Sequence, residues 1–420
     1  MIPTSFADVV LFLSLFVSLS SYVYVSRYEG TYINLLTPTF VMTIPAMYIL
    51  PWFFVQVFGA GATPYAFIYV YASIALENLC FAVAYKRLGK KLFRLPFHYG
   101  YKNFDRFASA SLVIAALMYA PILFEFPQYI LNPRQIYEHT RTGFGLNFFV
   151  SSTFAYLAVI LILFSERSKW IKGFVFLAAA VILLLHGSKG QVLTLLVVLL
   201  LYEVYVRGRK FKFMGSMLAI SALGFAVLLM FFATMTLGED AGEVLESISQ
   251  YSDYTRNAML VIDSNYPIQY GRLTLEDTIL GRIPRAVMPD KPKNFGAFQL
   301  ADHFYPEAMD RDQGAPDFGM GVQYADFGVF AIGYLAIFAI IRGWLARACA
   351  ARLRRLHHPA DFVLFAFVAN VSIFPVGGVG WLLPEAIAVA VFLRFASGIG
   401  AEKVFREKIV YEPRVAVAAP

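Results

Sequence analysis

The sequence predicts an all-α polytopic membrane protein, with about eleven transmembrane helices and one large, partly helical loop on the outer side. Three observations lead there. Of 420 residues, 59% are hydrophobic and only 15% are charged, with a mean hydropathy of +0.62, whereas soluble domains run near half apolar and a quarter charged. Apolar runs long enough to cross a bilayer core of about 30 Å recur along the chain. Basic residues concentrate in alternate loops between those runs, as the positive-inside rule requires of a multi-pass chain. This composition excludes a disordered chain, a secreted disulfide scaffold and an ordinary soluble enzyme. The formal charge of +7 is then a matter of topology, and no nucleic-acid partner is expected. Cys80 and Cys349 fall in or beside apolar runs, where an inert buried thiol is the expectation.

The spans are expected at 5–26, 37–58, 65–85, 107–126, 147–164, 173–186, 191–206, 214–236, 322–341, 361–375 and 383–399. The first is too long for a removable signal peptide and lacks its basic start and small-residue cleavage site. The spans at 173–186 and 191–206 are short, with only a Gly-Ser-Lys-Gly turn region between them. Eleven crossings put the basic clusters at 86–106, 167–172, 207–212 and 342–355 and in the tail on one side, with 24 of the 35 Lys and Arg residues. That side is expected to be cytoplasmic and the N-terminus external. The chain so divides into 1–236 with helices one to eight, 237–318 as the outer loop region, and 319–420 with helices nine to eleven and a cytoplasmic tail. The loop carries 14 acids against seven bases, and the chain shows no heptad, internal repeat or low-complexity tract.

Polar residues stand out at four places. Around Glu138, His139 and Arg141, an arginine precedes Gly-Phe-Gly at a membrane boundary; it could hold a phosphate bidentately while Glu138 or His139 accepts a proton. A helix end closed by glycine with a snorkelling Arg141 has the same pattern. Lys189 opens an apolar helix below the outer surface, where charge, dipole and free N–H groups favour an anion; a tight helical hairpin is the plain reading. The stretch 282–293 holds Arg282, Arg285, Lys291 and Lys293 among three prolines, a rigid strip that presents cations in fixed directions. It suits a pyrophosphate or, equally, lipid headgroups. Tyr251, Tyr254 and Arg256 lie together on a helix-like stretch, as a sugar-stacking set or an interfacial helix would. Within the spans, Glu77 and Asn370 are candidates for buried polar contacts, and Glu203 and Arg394 for snorkelling. The scattered histidines and the loop aspartates show no metal-ligand spacing, so no metal is expected.

Four short pieces together give the chain a family likeness: Arg141 to Gly145 (RTGFG), Gly187 to Gly190 (GSKG), Ile283 to Pro292 (IPRAVMPDKP) and Gln323 to Gly328 (QYADFG). In order and placement they resemble the bacterial O-antigen or oligosaccharide repeat-unit polymerases of the Wzy type, whose architecture is similar to that of the O-antigen ligases. The resemblance covers most of the chain and implies a GT-C-like fold with a large periplasmic loop. Two positions depart from the family pattern: Lys189 stands where arginine is usual, and Gln323 where an acid is more common, so no catalytic acid carries over to it. The ligases' histidine before the matching helix is absent, which favours polymerase over ligase.

The resemblance implies a multi-pass protein of the bacterial inner membrane that polymerises repeat units linked to undecaprenyl pyrophosphate at its periplasmic face. O-antigen, capsule or exopolysaccharide assembly would use such a reaction. It implies Glu138 as first choice of base, with Asp326 and His139 behind it, and Arg285 beside the reacting centre. Arg141, Lys189, Arg256, Arg282, Lys291 and Tyr324 would bind substrate. Membrane lipid and a chain-length regulator protein are the further partners, and no cofactor is implied. The alternatives are a transporter (flippase) of lipid-linked glycans, in which paired repeats and broken midplane helices are usual, an O-antigen ligase, or a scaffold subunit of an envelope complex.

Overall fold

The computed structural model describes residues 3–88, 103–130, 135–136, 144–187, 189–212, 215, 253–283, 287–307, 316–371, 373 and 387–393. Among these residues the structure is helical, without a β-strand. Among the described residues six helices are long and apolar enough to cross a membrane. They are α1 (Thr4–Glu29), α2 (Thr37–Phe58), α3 (Pro64–Arg87), α4 (Phe104–Glu125), α5 (Gly145–Phe164) and the run Gly321–Leu356. Shorter apolar helices follow α5: α6 (Lys169–Leu185) and α7 (Lys189–Tyr205). The loop contributes α8 (Asp253–Asp263), α9 (Arg272–Leu280) and α10 (Phe298–Phe304). The run Gly321–Leu356 is broken at Gly328, with φ +58, into α11 (Gly321–Phe327) and α12 (Ala331–Leu356), and α13 (Pro359–Val368) follows.

The first five expected spans and the ninth have helices of full crossing length. The sixth and seventh are the short pair α6 and α7. The eighth, 214–236, lies outside the described residues apart from Gly215, and the eleventh is described only at 387–393. The tenth, expected over 361–375, is shorter than the sequence suggested: α13 ends at Val368, and Asn370 follows in the left-handed region with φ +63. Asn370 is exposed there, so the buried helix-packing contact expected of it is corrected to a helix-terminating role.

Inside α2, Pro45 and Pro51 withhold two backbone donors, and the turn Pro45–Ile49 widens to a π-helix. That wider turn sets Tyr48 inward, where its hydroxyl lies 2.9 Å from both Ser14 and Ser18 of α1. Asn78 of α3 donates to Ser18 at 3.1 Å, so three helices share one polar network. Helix α3 runs between α1 and α12, and α4 lies along α5. Gly343 permits the approach of α12, since a Cβ there would sit 2.5 Å from the Phe81 carbonyl oxygen. Phe12, Phe16, Leu117, Phe174 and Leu177 are exposed, as expected of side chains facing lipid.

The helix ends sort into two sets. At one end Glu29 accepts from Tyr85 at 2.6 Å and pairs with Arg354 and Arg347. There Tyr32 donates its N–H to the Phe211 carbonyl at 2.8 Å, and Arg352 pairs with Asp361 at 2.5 Å. Glu203 is held by Arg207 and Arg209, both at 2.9 Å. At the other end, Thr63 before α3 donates through its N–H and hydroxyl to Asp263 of α8, at 2.7 and 2.5 Å. Those bonds dock the loop helices on the second end. Arg342 belongs to neither set. Counted by sequence with the basic cluster beyond the membrane, it sits three turns into α12 and pairs with Glu77 of α3 at 3.5 Å.

Candidate functional site

Between the loop helices and the flank of α12 lies a cavity of about 610 Å³, within the size range of ligand clefts, ~300–1,000 Å³. Its loop wall starts from α9. Thr274, Asp277 and Gly281 recur at three- and four-residue steps, so one helix face carries them to the cavity. Leu273, on another face, is fully buried in the loop core with Leu300 and Phe318. The opposite wall is a stripe of α12: Tyr334, Phe338 and Arg342 at steps of four, with Leu335 and Ala339 beside them. Glu77 of α3 completes the floor at the Arg342 pair. The lining is aromatic and aliphatic along α12 up to the Arg342–Glu77 pair, and the loop side carries Thr274, Asp277 and Asp317 among Phe295, Phe298 and Phe318.

The backbone around Asp277 is tightly drawn. Its two carboxylate oxygens accept from the Ala297 N–H at 3.2 and 3.1 Å. The neighbouring Glu276 accepts from the Gly296 N–H at 2.9 Å and from the Gln299 amide at 2.6 Å. Gly296 has φ +57, and a Cβ on it would come 2.0 Å from Asp277 Oδ1, so this crossing requires glycine. Burial pushes the Asp277 carboxyl up to about 6; the Ala297 N–H opposes the rise, and Asp326, Glu276 and Asp317 add to it. Among the described residues Asp277 has no ion-pair partner. Arg272 lies 3.7 Å from Glu276 instead.

Asp326 is brought to the same region but turned away from the cavity. It is fully buried, and its oxygens accept from the backbone N–H groups of Leu273 at 2.9 Å and Thr274 at 2.8 Å. The Thr274 hydroxyl adds a third bond at 2.6 Å. Gly271 before α9 has no side chain to cap the helix, so a carboxylate from α11 does it, aligned with the positive end of the dipole. Asp326 thus caps α9 and, fully buried, does not line the cavity.

The basic strip borders the cavity. Arg282 follows Gly281 of the cavity wall and donates to the Thr278 carbonyl. Lys291 donates to the Ile283 carbonyl at 3.1 Å and stands 4.3 Å from the centre of the Phe295 ring, which also lines the cavity. Arg285 lies outside the described residues, as do Glu138, His139, Arg141 and Tyr251. Lys189 opens α7, as its position in the sequence suggested. Arg256 does not join this group: its guanidinium lies 3.9 Å from the Phe54 ring of α2 and 3.8 Å from Asp253, whose carboxyl burial raises despite that arginine. Tyr254 is exposed on the same helix. Tyr324 packs edge-on to Tyr69 at 5.1 Å and does not line the cavity; its neighbour Gln323 does.

Asp277, Thr274 and Tyr334 carry no motif, so no pattern in the sequence marks them. A helical reading of 272–281 puts Thr274, Asp277 and Gly281 on one face, but only packing shows which way that face points. Glu77 was visible as an acid inside an apolar span; its partner Arg342 was hidden among the charges that follow the span expected at 322–341.

Two curated proteins, each described as O-antigen polymerase, are similar to the chain, one from Salmonella typhimurium and one from Salmonella typhi. Each is 35% identical over 389 residues, covering 91% of this chain and 92% of its own length. No family model matches the chain, and no solved structure does.

Proposed function

The chain belongs to the O-antigen polymerase family, and from that premise we propose that it joins oligosaccharide repeat units carried on undecaprenyl pyrophosphate at the periplasmic face of the bacterial inner membrane. The growing glycan leaves its lipid pyrophosphate and is transferred to the terminal sugar of another lipid-linked unit. One observation carries this reading: a cavity with one wall on a membrane-spanning helix and the other on the loop, where Thr274, Asp277 and Asp317 stand among aromatic residues, bordered by the cations Arg282 and Lys291. A lipid-linked sugar has that same division between an apolar tail and a charged, hydroxylated head.

Arg282 and Lys291 would neutralise the charge that develops on the leaving pyrophosphate as the glycosidic bond breaks. Arg141, Lys189 and Arg285 join them in this proposal through the resemblance of their motifs. Lys189 is a point charge where a bidentate arginine is usual, so it would contribute charge more than orientation. The apolar stripe of Tyr334, Leu335 and Phe338 suits the first isoprene units of a lipid. The remaining crossings of an eleven-helix bundle, the GT-C-like arrangement, the cytoplasmic C-terminus and a chain-length regulator as partner belong to the same proposal.

The test is direct. The purified full chain, given lipid-linked repeat units and no energy source, is expected to convert them into a ladder of longer glycans with release of lipid pyrophosphate. Units that remain single, or that only cross a vesicle membrane, would reject polymerisation and favour transport.

A further inference from the structure

We propose that Asp277 is the proton acceptor of the glycosyl transfer, receiving the proton of the attacking sugar hydroxyl in the cavity between the loop and α12. The inference rests on the polymerase reading above and assigns a catalytic residue within it.

The carboxylates that touch the cavity or border it have different commitments. Glu77 is paired with Arg342 at 3.5 Å at the membrane end. Asp326 is sealed under three donors. Glu276 holds the Gly296 N–H, Gln299 and Arg272. Asp317 is exposed and accepts the Gly319 N–H at 2.7 Å. Among the described residues Asp277 lines the cavity with a single N–H, that of Ala297, shared between its two oxygens. That N–H fixes the carboxyl group and leaves lone pairs for a hydroxyl proton.

The surroundings also suit the task. Among the described residues, the charged groups that raise Asp277 are Glu276 from its own helix, Asp326 from α11 and Asp317 from the segment before α11, all acidic, while Arg342 of α12 and Glu77 of α3 line the same cavity. Arg272 is engaged by Glu276. Three anions and burial hold Asp277 more basic than an ordinary aspartate, which is what a base working near neutral pH needs. Gly281 and Phe295 connect the same cavity to Arg282 and Lys291, so base and leaving-group cations lie at different parts of one site.

In the step, the acceptor hydroxyl passes its proton to a carboxylate oxygen of Asp277 while that hydroxyl oxygen bonds to the anomeric carbon of the donor. The bond from that carbon to the pyrophosphate oxygen breaks, and its electron pair leaves with the lipid pyrophosphate. Asp277 then returns its proton to water, so the carboxylate is restored before the next unit.

The experiment measures initial rates of chain lengthening from pH 4.5 to 8, with the purified full-length protein and lipid-linked repeat units. The wild-type rate should climb through about pH 6 and then level. Asp277→Asn keeps the acceptor for the Ala297 N–H and should lose roughly 10²–10⁴-fold in rate, together with the rising limb, while still binding the units. Asp277→Glu keeps a displaced carboxylate and should retain the limb at a rate between the two. An Asn variant with the wild-type rate and profile would overturn the assignment. Should the Asn protein not reach the membrane, a Glu variant indistinguishable from wild type does so equally. A wild-type protein that lengthens nothing rejects the polymerase reading itself, which is a different result from an active wild type with an active Asn variant.

Discussion

Asp277 and Asp326 are two aspartates in one small region with opposite fates, and donor geometry separates them. Asp326 is satisfied by the first turn of α9. Replacing it with alanine leaves those N–H groups buried without an acceptor, a loss of about 1–3 kcal/mol. Limited proteolysis should then cut the region 253–307 faster in Asp326→Ala than in wild type, while the transmembrane helices stay protected. Asp277 gives a pH signature. Its folded value of about 6 stands above the ordinary 3.8, so between those limits the native state holds more proton than the unfolded state. Its contribution to stability is therefore greatest below about pH 4 and falls as pH rises through 6. Thermal unfolding should show that component in wild type and not in Asp277→Asn.

At the scale of elements, the contact of α3 with α12 controls both the bundle and the cavity, since Glu77 and Arg342 sit on these two helices. Gly343 lies one residue beyond Arg342, with the Phe81 carbonyl 2.5 Å from where a Cβ would be. Gly343→Leu must push the helices apart, at a cost of about 1–3 kcal/mol for an overpacked contact. A lower melting temperature in detergent is expected, with a longer Glu77–Arg342 separation. The chain expected for this region was a single span over 322–341; Gly328 instead turns the chain between α11 and α12. That turn lets α11 present Asp326 to the loop while α12 runs on through the bundle.

Across the whole molecule, the ends of the helices are tied by charge. Glu29 is fully buried and holds Arg354, Arg347 and the Tyr85 hydroxyl, joining α1, α3 and α12. Arg354 keeps 39% of its side chain exposed, so water partly compensates it. Glu29→Ala should then cost more than the ~1 kcal/mol of an exposed pair and less than the ~3–5 kcal/mol of a fully buried one. Thermal unfolding of the purified protein measures the loss, and Arg354→Ala combined with it should cost less than the sum of the two separately.

The apolar periodicity of the chain determined its class, the first five crossings and the short α6–α7 pair, because a bilayer imposes length and hydrophobicity on each crossing independently of the rest. Composition likewise marked the strip at 282–293 and the start of α7 at Lys189. The ordered site was less legible. Sequence placed Asp326 at the chemistry and Arg342 beyond the membrane, and it gave no sign of Asp277. These roles depend on which N–H groups, carboxylates and helices meet, and residues 20 to 265 positions apart make those meetings, as Asp277 does with Ala297, Asp326 with α9 and Arg342 with Glu77. A local pattern fixes which residues share a helix face; only the packed tertiary structure decides what that face meets, and so whether a carboxylate caps a helix, pairs with an arginine or stands open to a substrate.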